Sequence, residues 1–266
     1  MKTVVITGSA KGFGYAMLKL FYEKDFNVVI VDVDEKSLNA AKKELESLNL
    51  KGKILTYKVD ITNENEVSKM IEDIIKNNKT IDIWINNAGV NQPSIPIWCL
   101  DSKVINRLID IDLKGTILCS KLIMPIMLKQ NSGQIYNVEG YGSNDATMMG
   151  LSIYGTSKRA VTYFTEALAK EVSGVSKNIY IGKITPGIMI TNFIGNDVSN
   201  NRIELSEKTK NVYNILGDRP ETIAKFMVDR IVNNNKNNVK FAWLTNRRAM
   251  GRFIKALFGK KNNFFE

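Results

Sequence analysis

A tyrosine and a lysine stand one helical turn apart in SIYGTSKRAV, residues 152 to 161, and a phenol beside an ammonium can move a proton. A free phenol keeps its proton up to a pH of about 10. A neighbouring cation favours the phenolate and lowers that value. Tyr154 and Lys158 could then exchange a proton with an alcohol or a carbonyl. Spacing alone does not single them out, because Tyr15 and Lys19 have the same separation and such residues share a helix face whatever their purpose. The chain contains no histidine. A histidine triad and a zinc–histidine site are therefore excluded, and any acid or base must be Tyr, Lys, Asp, Glu, Cys or a relay through Ser. Cys99 and Cys119 lack metal-type spacing, so neither a metal site nor a disulfide framework is expected, which agrees with a reducing cytoplasm.

The elements that must position the pair follow from hydrophobic periodicity. TVVIT (3–7), NVVIVD (27–32), KILTYKVD (53–60), IDIWINNAG (81–89), QIYNV (134–138) and NIYIGKI (178–184) read as strands, and VKFAWLT (239–245) supplies a seventh. Helical stretches lie between them. One of these, GTILCSKLIMPIMLK (115–129), contains Pro125, which is expected to kink or cap it. Strands alternating with helices predict parallel crossovers, hence an α/β, doubly wound parallel sheet of about seven strands flanked by helices. Residues 1–245 read as one catalytic domain and 246–266 as a basic amphipathic C-terminal extension. No window approaches the length of a membrane span. The N-terminus enters its first strand without a signal-peptide core, so a cytoplasmic location is expected. The formal charge of +10 is spread among 27 acidic residues with no accompanying recognition motif, so no nucleic-acid partner is expected.

TGSAKGFG places Gly8, Gly12 and Gly14 between the first strand and the first helix. Glycine lets the backbone turn sharply and approach a pyrophosphate, and a helix N-terminus offers N–H groups and a positive dipole end. The spacing is G-x-x-x-G-x-G rather than the commoner G-x-G-x-x-G. This loop, NNAG after the fourth strand, and Y-x-x-x-K opening a late helix occur in that order. Together they resemble the short-chain dehydrogenase/reductase family over residues 2 to 245. YNVEGYGSND, IYGTSK and RPETIAKFMVDRI resemble, more narrowly, its chlorophyll b reductase-like branch over roughly residues 80 to 260.

The resemblance implies a Rossmann-type fold, an NAD(P)-dependent oxidoreductase acting on CH–OH groups, and a homotetramer or homodimer. It gives Tyr154 the acid/base role, and Lys158 the tasks of lowering the phenol's pKa and binding the nicotinamide ribose. The family's substrate-binding serine is missing, with Gly140 in the nearest equivalent place. Ser143 takes that role if the EGYGS loop curls back. The family's relay asparagine is replaced by Asp112 in IDLKG, which keeps an acceptor oxygen but loses the amide donor. Gly8, Ser9, Lys11, Gly12, Phe13 and Gly14 would cradle the cofactor, and Asp60 with Ile61 would flank adenine. Asn87, Ala88 and Gly89 would pass beneath it, while Pro186, Gly187, Ile188 and Thr191 would contact its nicotinamide side.

Asp32 ends the second strand, where a carboxylate accepts hydrogen bonds from ribose hydroxyls and repels a 2′-phosphate. Lys11 argues for NADP; NAD is the expected cofactor. Trp98, Met148, Met149, Leu151, Met189, Phe193 and Tyr213 are candidate walls for the substrate. Their apolar character predicts a hydrophobic alcohol or ketone, sterol-like or lipid-like, with residues 190–216 as a flexible lid. In the tail, Met250, Phe253, Ile254, Leu257 and Phe258 form a helical stripe among six basic residues. The expectation there is a helix packed on its own domain or on another subunit, with membrane-surface docking as the alternative. Gly140 and Asp112 also leave open a different class of function, a dinucleotide-binding regulatory or scaffold protein that has lost turnover.

Overall fold

The computed structural model describes residues 1–191 and 205–265. Seven strands form one sheet in the order β3-β2-β1-β4-β5-β6-β7. They are β1 (Thr3–Thr7), β2 (Asn27–Asp32), β3 (Ile54–Lys58), β4 (Ile83–Asn86), β5 (Gly133–Val138), β6 (Ile179–Thr185) and β7 (Val239–Ala242). Every neighbouring pair is parallel. A parallel strand needs a crossover to return, and the crossovers here are helices on both faces: α1 (Gly12–Glu23), α2 (Glu35–Ser47), α3 (Glu64–Asn78), α4 (Ser102–Ile109), α5 (Thr116–Gln130), α6 (Ser152–Ser173), α7 (Glu207–Leu216) and α8 (Pro220–Val232). A last helix, α9 (Asn246–Leu257), follows β7.

Burial on both faces explains why the central strands read as unbroken apolar runs. Successive side chains still alternate between faces. Val4, Ile6, Val28 and Ile30 join Met17 and Phe21 of α1 and Met227 and Ile231 of α8 in one core. Val5, Val29 and Val31 join Val67 and Ile74 of α3 and Ile123 of α5 in the other. Between β4, β5, α5 and α6 runs a buried polar staple. Asn86 Nδ2 donates to Ser120 Oγ at 3.0 Å and to Asn137 Oδ1 at 2.8 Å, and Asn137 Nδ2 donates to Thr165 Oγ1 at 2.8 Å. Every member has a partner, so the network fixes the registry of four elements at little desolvation cost.

Several local expectations change. Pro125 does not cap its helix: α5 continues past it to Gln130. Pro125 is on the exposed side, where water can take the carbonyl that proline leaves without a donor. The stretch 190–216 is not wholly a loop, because Ser206 Oγ accepts from Thr209 N and caps α7. Phe193 lies outside the described residues. Asp101 likewise caps α4, which joins α5 through a π-helical turn at Asp110–Gly115.

Candidate active site

β1 and β4 are neighbours whose crossovers leave to opposite sides, and the crevice beyond their C-terminal ends is the topological switch point of the sheet. Two segments meet there. Thr7 Oγ1 accepts from Asn87 N at 3.0 Å and Ala88 N at 3.1 Å, while Asn87 Nδ2 donates to the carbonyls of Thr7 and Gly8, both at 2.9 Å. Gly8 has a φ of +61° and a Cβ on it would stand 2.7 Å from Ala88 Cα, so the turn requires glycine on two grounds. Gly12 differs. Its φ is +63°, yet among the described residues a Cβ there would meet only Thr191 Cγ2, at 3.9 Å. Among those residues the space above Gly12 is therefore open, and the Lys11 side chain makes no capping bond to α1 behind it. An open cradle over uncapped helix amides fits a pyrophosphate.

Other residues of the expected cradle have separate positions. Ser9 Oγ donates to Ile6 O and accepts from Val31 N, and Phe13 is buried in the first core, so both side chains serve the fold. Asp32 accepts from Ala10 N at 3.2 Å and Asp34 N at 3.2 Å, which fixes its carboxylate beside the glycine turn. Lys11 is paired with Asp34 at 3.4 Å, close to Asp32. Asp60 accepts from Thr62, and Ile61 packs against Gly115 of the π-turn. Pro186 is buried, Gly187 has a φ of +77°, and Ile188 O accepts from Asp218 N.

The π-turn swings Asp112 inward. Its side chain is out of solvent, Val90 N donates to Oδ1 at 2.8 Å, and Lys158 Nζ forms an ion pair with Oδ2 at 3.0 Å. Lys158 is thus the charged partner of Oδ2, as the Val90 amide is the donor to Oδ1. A Cβ on Gly89 would lie 3.3 Å from Lys158 Nζ, so the pair abuts the NNAG segment and, through Ala88, the glycine turn. Tyr154 is buried with Lys158 Nζ 5.6 Å from its ring centroid.

The electrostatics correct one expectation. Lys158 does pull the Tyr154 phenol down, but burial pushes it up more strongly and the Asp112 carboxylate adds to that, leaving it at about 12. Burial also draws the Lys158 ammonium down, and the charges of Asp112 and Tyr154 outweigh it and leave it raised. Burial pushes the Asp112 carboxyl up against the pull of Lys158 and the Val90 N–H. Tyr213 on α7 is close enough to act on the Tyr154 phenol.

The geometry of the EGYGS loop is specific. Ser143 Oγ accepts from Gly140 N at 3.2 Å and donates to Lys158 O at 3.4 Å. It ties the loop to α6 at the carbonyl of Lys158. A Cβ on Gly140 would stand 2.2 Å from Tyr154 Oη. The phenol thus occupies the place that a side chain on Gly140 would take.

Two residues that sequence reasoning did not find brace this arrangement. Gln92 is buried, its Oε1 accepts from Tyr154 N at 2.8 Å and its Nε2 donates to Gly150 O at 2.7 Å. It caps the start of α6 and joins the loop after NNAG to the loop before Tyr154. Glu139, next to Gly140, accepts from Thr162 Oγ1 at 2.8 Å and Thr185 Oγ1 at 2.6 Å and pairs with Lys240 at 2.8 Å. An acidic residue closing an apolar strand run was a signal available for Glu139; nothing marked Gln92. Of the candidate substrate walls, Trp98, Met148 and Met149 are exposed on the two loops Gln92 joins, while Met189 packs against the first core.

A family profile described as short chain dehydrogenase matches residues 2–202. The chain is 29% identical over 247 residues to the probable chlorophyll(ide) b reductase NYC1 of Arabidopsis thaliana, covering 86% of this chain but only 48% of that protein, about half its length. It is 32% identical to the uncharacterized oxidoreductase YxbG of Bacillus subtilis, over 78% of this chain and 74% of that one. The 3-ketoacyl-(acyl-carrier-protein) reductase of Brucella melitensis, solved with NADH, superposes with a TM-score of 0.79 at 22% identity, over 93% of this chain and 98% of that one. By its glycine turn, its sheet order and these matches, the chain belongs to the short chain dehydrogenase family.

Proposed function

We propose that this protein is an NAD(P)-dependent oxidoreductase that interconverts a hydroxyl and a carbonyl on a hydrophobic small molecule. One observation carries the reading: Tyr154, Lys158 and Asp112 form a single buried cluster against Gly89, at the edge of the glycine turn. A bound nicotinamide dinucleotide would supply or take up the hydride. Gly12, the first amides of α1 and Thr191 border the space that would hold its pyrophosphate. Asp32, with its carboxylate held by two backbone amides, would take the adenosine ribose and favour NAD over NADP.

Tyr154 would give its proton to the carbonyl oxygen in reduction and take it back from the alcohol in oxidation. At neutral pH a phenol whose value lies at about 12 is protonated, so the site is loaded for reduction. Lys158 would hold the ribose edge and offset charge that develops on the phenolate. Asp112 would accept from a bridging hydroxyl or water on the path by which the tyrosine regains its proton from solvent. Ser143 would act by holding the loop under the substrate oxygen. The exposed apolar residues Trp98, Met148 and Met149 on the loops beside Tyr154 support a hydrophobic substrate.

The test is NADH oxidation against a panel of hydrophobic aldehydes and ketones, with NADH binding followed by fluorescence. Turnover in wild type, lost in Tyr154→Phe while NADH binding is retained, supports the enzyme. A wild type that binds NADH yet turns over nothing in the panel supports the scaffold alternative.

A further inference from the structure

The tail helix α9 is amphipathic in the sense opposite to a packed helix. Its inward side is made of small or charged groups. Ala249, Gly251, Arg252 and Ala256 are half-buried, and Arg252 pairs with Asp218 at 2.7 Å while donating to Leu216 O at 2.8 Å. Beyond the helix, Asn262 N donates to Asn214 O at 2.9 Å and Phe264 N to Asn214 Oδ1 at 2.8 Å, which ties the tail to α7. The helix is thus held on its own domain by polar bonds. The apolar stripe that was expected to do the packing faces away: Met250, Phe253, Ile254, Leu257 and Phe258 are all exposed, the last two at 83% and 75%.

We propose that this face docks on the surface of an anionic lipid membrane, with α9 lying in the plane of the headgroups. Large apolar side chains contiguous on a surface helix mark an interaction site rather than ordinary exposure. The rim of the stripe decides the partner. Arg247, Arg248, Lys255, Lys260 and Lys261 are exposed around it, and no acidic residue lies between positions 246 and 261. An anionic leaflet complements that rim, each cation adding about fivefold to partitioning near such a surface. A second copy of the chain does not. A two-fold contact through α9 would set one cationic rim against another, on a molecule that already carries a formal charge of +10. Interfacial helices join a cationic polar face to an apolar face in this way. Docking would also bring α7, against which α9 packs, to the lipid. The docking itself is independent of the chemistry at Tyr154.

Sedimentation of the full chain with vesicles tests it, using pure phosphatidylcholine against phosphatidylcholine with a third phosphatidylglycerol, at low and high salt. The variants are Leu257→Asp and Phe258→Asp, whose side chains are too exposed to disturb the fold; thermal melting and light scattering accompany each. The proposal expects binding to anionic vesicles only, reduced at least tenfold by salt and by either variant, with melting temperature unchanged. It is overturned if wild type fails to sediment with anionic vesicles at low salt, or if the variants sediment as wild type does. It is equally overturned if wild type ignores vesicles and the variants break up an oligomer, which would assign the face to a second copy.

Discussion

The Nζ of Lys158 stands 3.0 Å from Oδ2 of Asp112, with both side chains withdrawn from solvent. This ion pair turns the lysine's charge partly away from the phenol it would otherwise activate. Removing one member of a buried pair leaves the other uncompensated, so the two residues act as a unit. Burial keeps Tyr154 protonated well above neutral pH, and the Asp112 carboxylate adds to that against the pull of Lys158.

Gly140→Ser restores the side chain usual at this place in the family, and the geometry predicts loss rather than gain. The added Cβ meets Tyr154 Oη at 2.2 Å and Lys158 Cγ at 3.1 Å. The phenol is the end of a side chain and can move aside, so folding survives, but its position does not. A displacement of about 1 Å at a reacting group costs roughly a hundredfold in rate. Steady-state kinetics alongside a thermal melt check this: kcat falls about a hundredfold and Tm changes little.

Gly8→Ala and Gly12→Ala separate fold from binding. Both positions have positive φ, which costs an L-residue about 1–2 kcal/mol. At Gly8 the new methyl also strikes the Ala88 backbone, so the melting temperature drops sharply. At Gly12 it meets none of the described residues closer than 3.9 Å, so the fold persists and NADH affinity falls by at least about tenfold, or 1.4 kcal/mol. Denaturation and NADH fluorescence on the two variants distinguish these outcomes.

Gln92→Ala leaves the buried Tyr154 amide and Gly150 carbonyl without partners. Each loss costs about 1–3 kcal/mol. The first turn of α6 loosens and Tyr154 with it. The melting temperature is expected to fall by at least about 4 °C, and kcat to fall while KM for NADH holds.

Much of this was legible in the sequence for identifiable reasons. Strands such as TVVIT and NVVIVD are buried on both faces, so composition alone marks them, and parallel crossovers follow from the alternation. The glycine turn was legible because φ and close approach restrict the residue type. What stayed hidden depended on tertiary partners. The helix Glu207–Leu216 sits in a polar stretch that reads as loop, and its start is fixed by the Ser206 cap. Gln92 is an unmarked glutamine in a loop whose role appears only when the loop before Tyr154 folds over it. The net direction of the Tyr154 shift needed burial to be weighed against one cation, which spacing does not supply.

Asp32→Ala tests cofactor choice. The carboxylate held by Ala10 N and Asp34 N repels a 2′-phosphate, so wild type is expected to prefer NADH over NADPH by at least about tenfold in kcat/KM. The variant loses most of that preference, chiefly by weaker NADH use. An unchanged ratio would remove Asp32 from the cofactor site.

The most direct measurement is the pH dependence of alcohol oxidation in wild type and in Asp112→Asn. Oxidation needs the phenolate, so in wild type the rate climbs with pH without levelling below about pH 10. The Asp112 carboxylate disfavours the phenolate and occupies Lys158; replacing it with a neutral amide lets the ammonium act on Tyr154 alone. The profile of Asp112→Asn should therefore move to lower pH by roughly one to two units. Superimposable profiles, or a move to higher pH, would contradict control of Tyr154 by this pair.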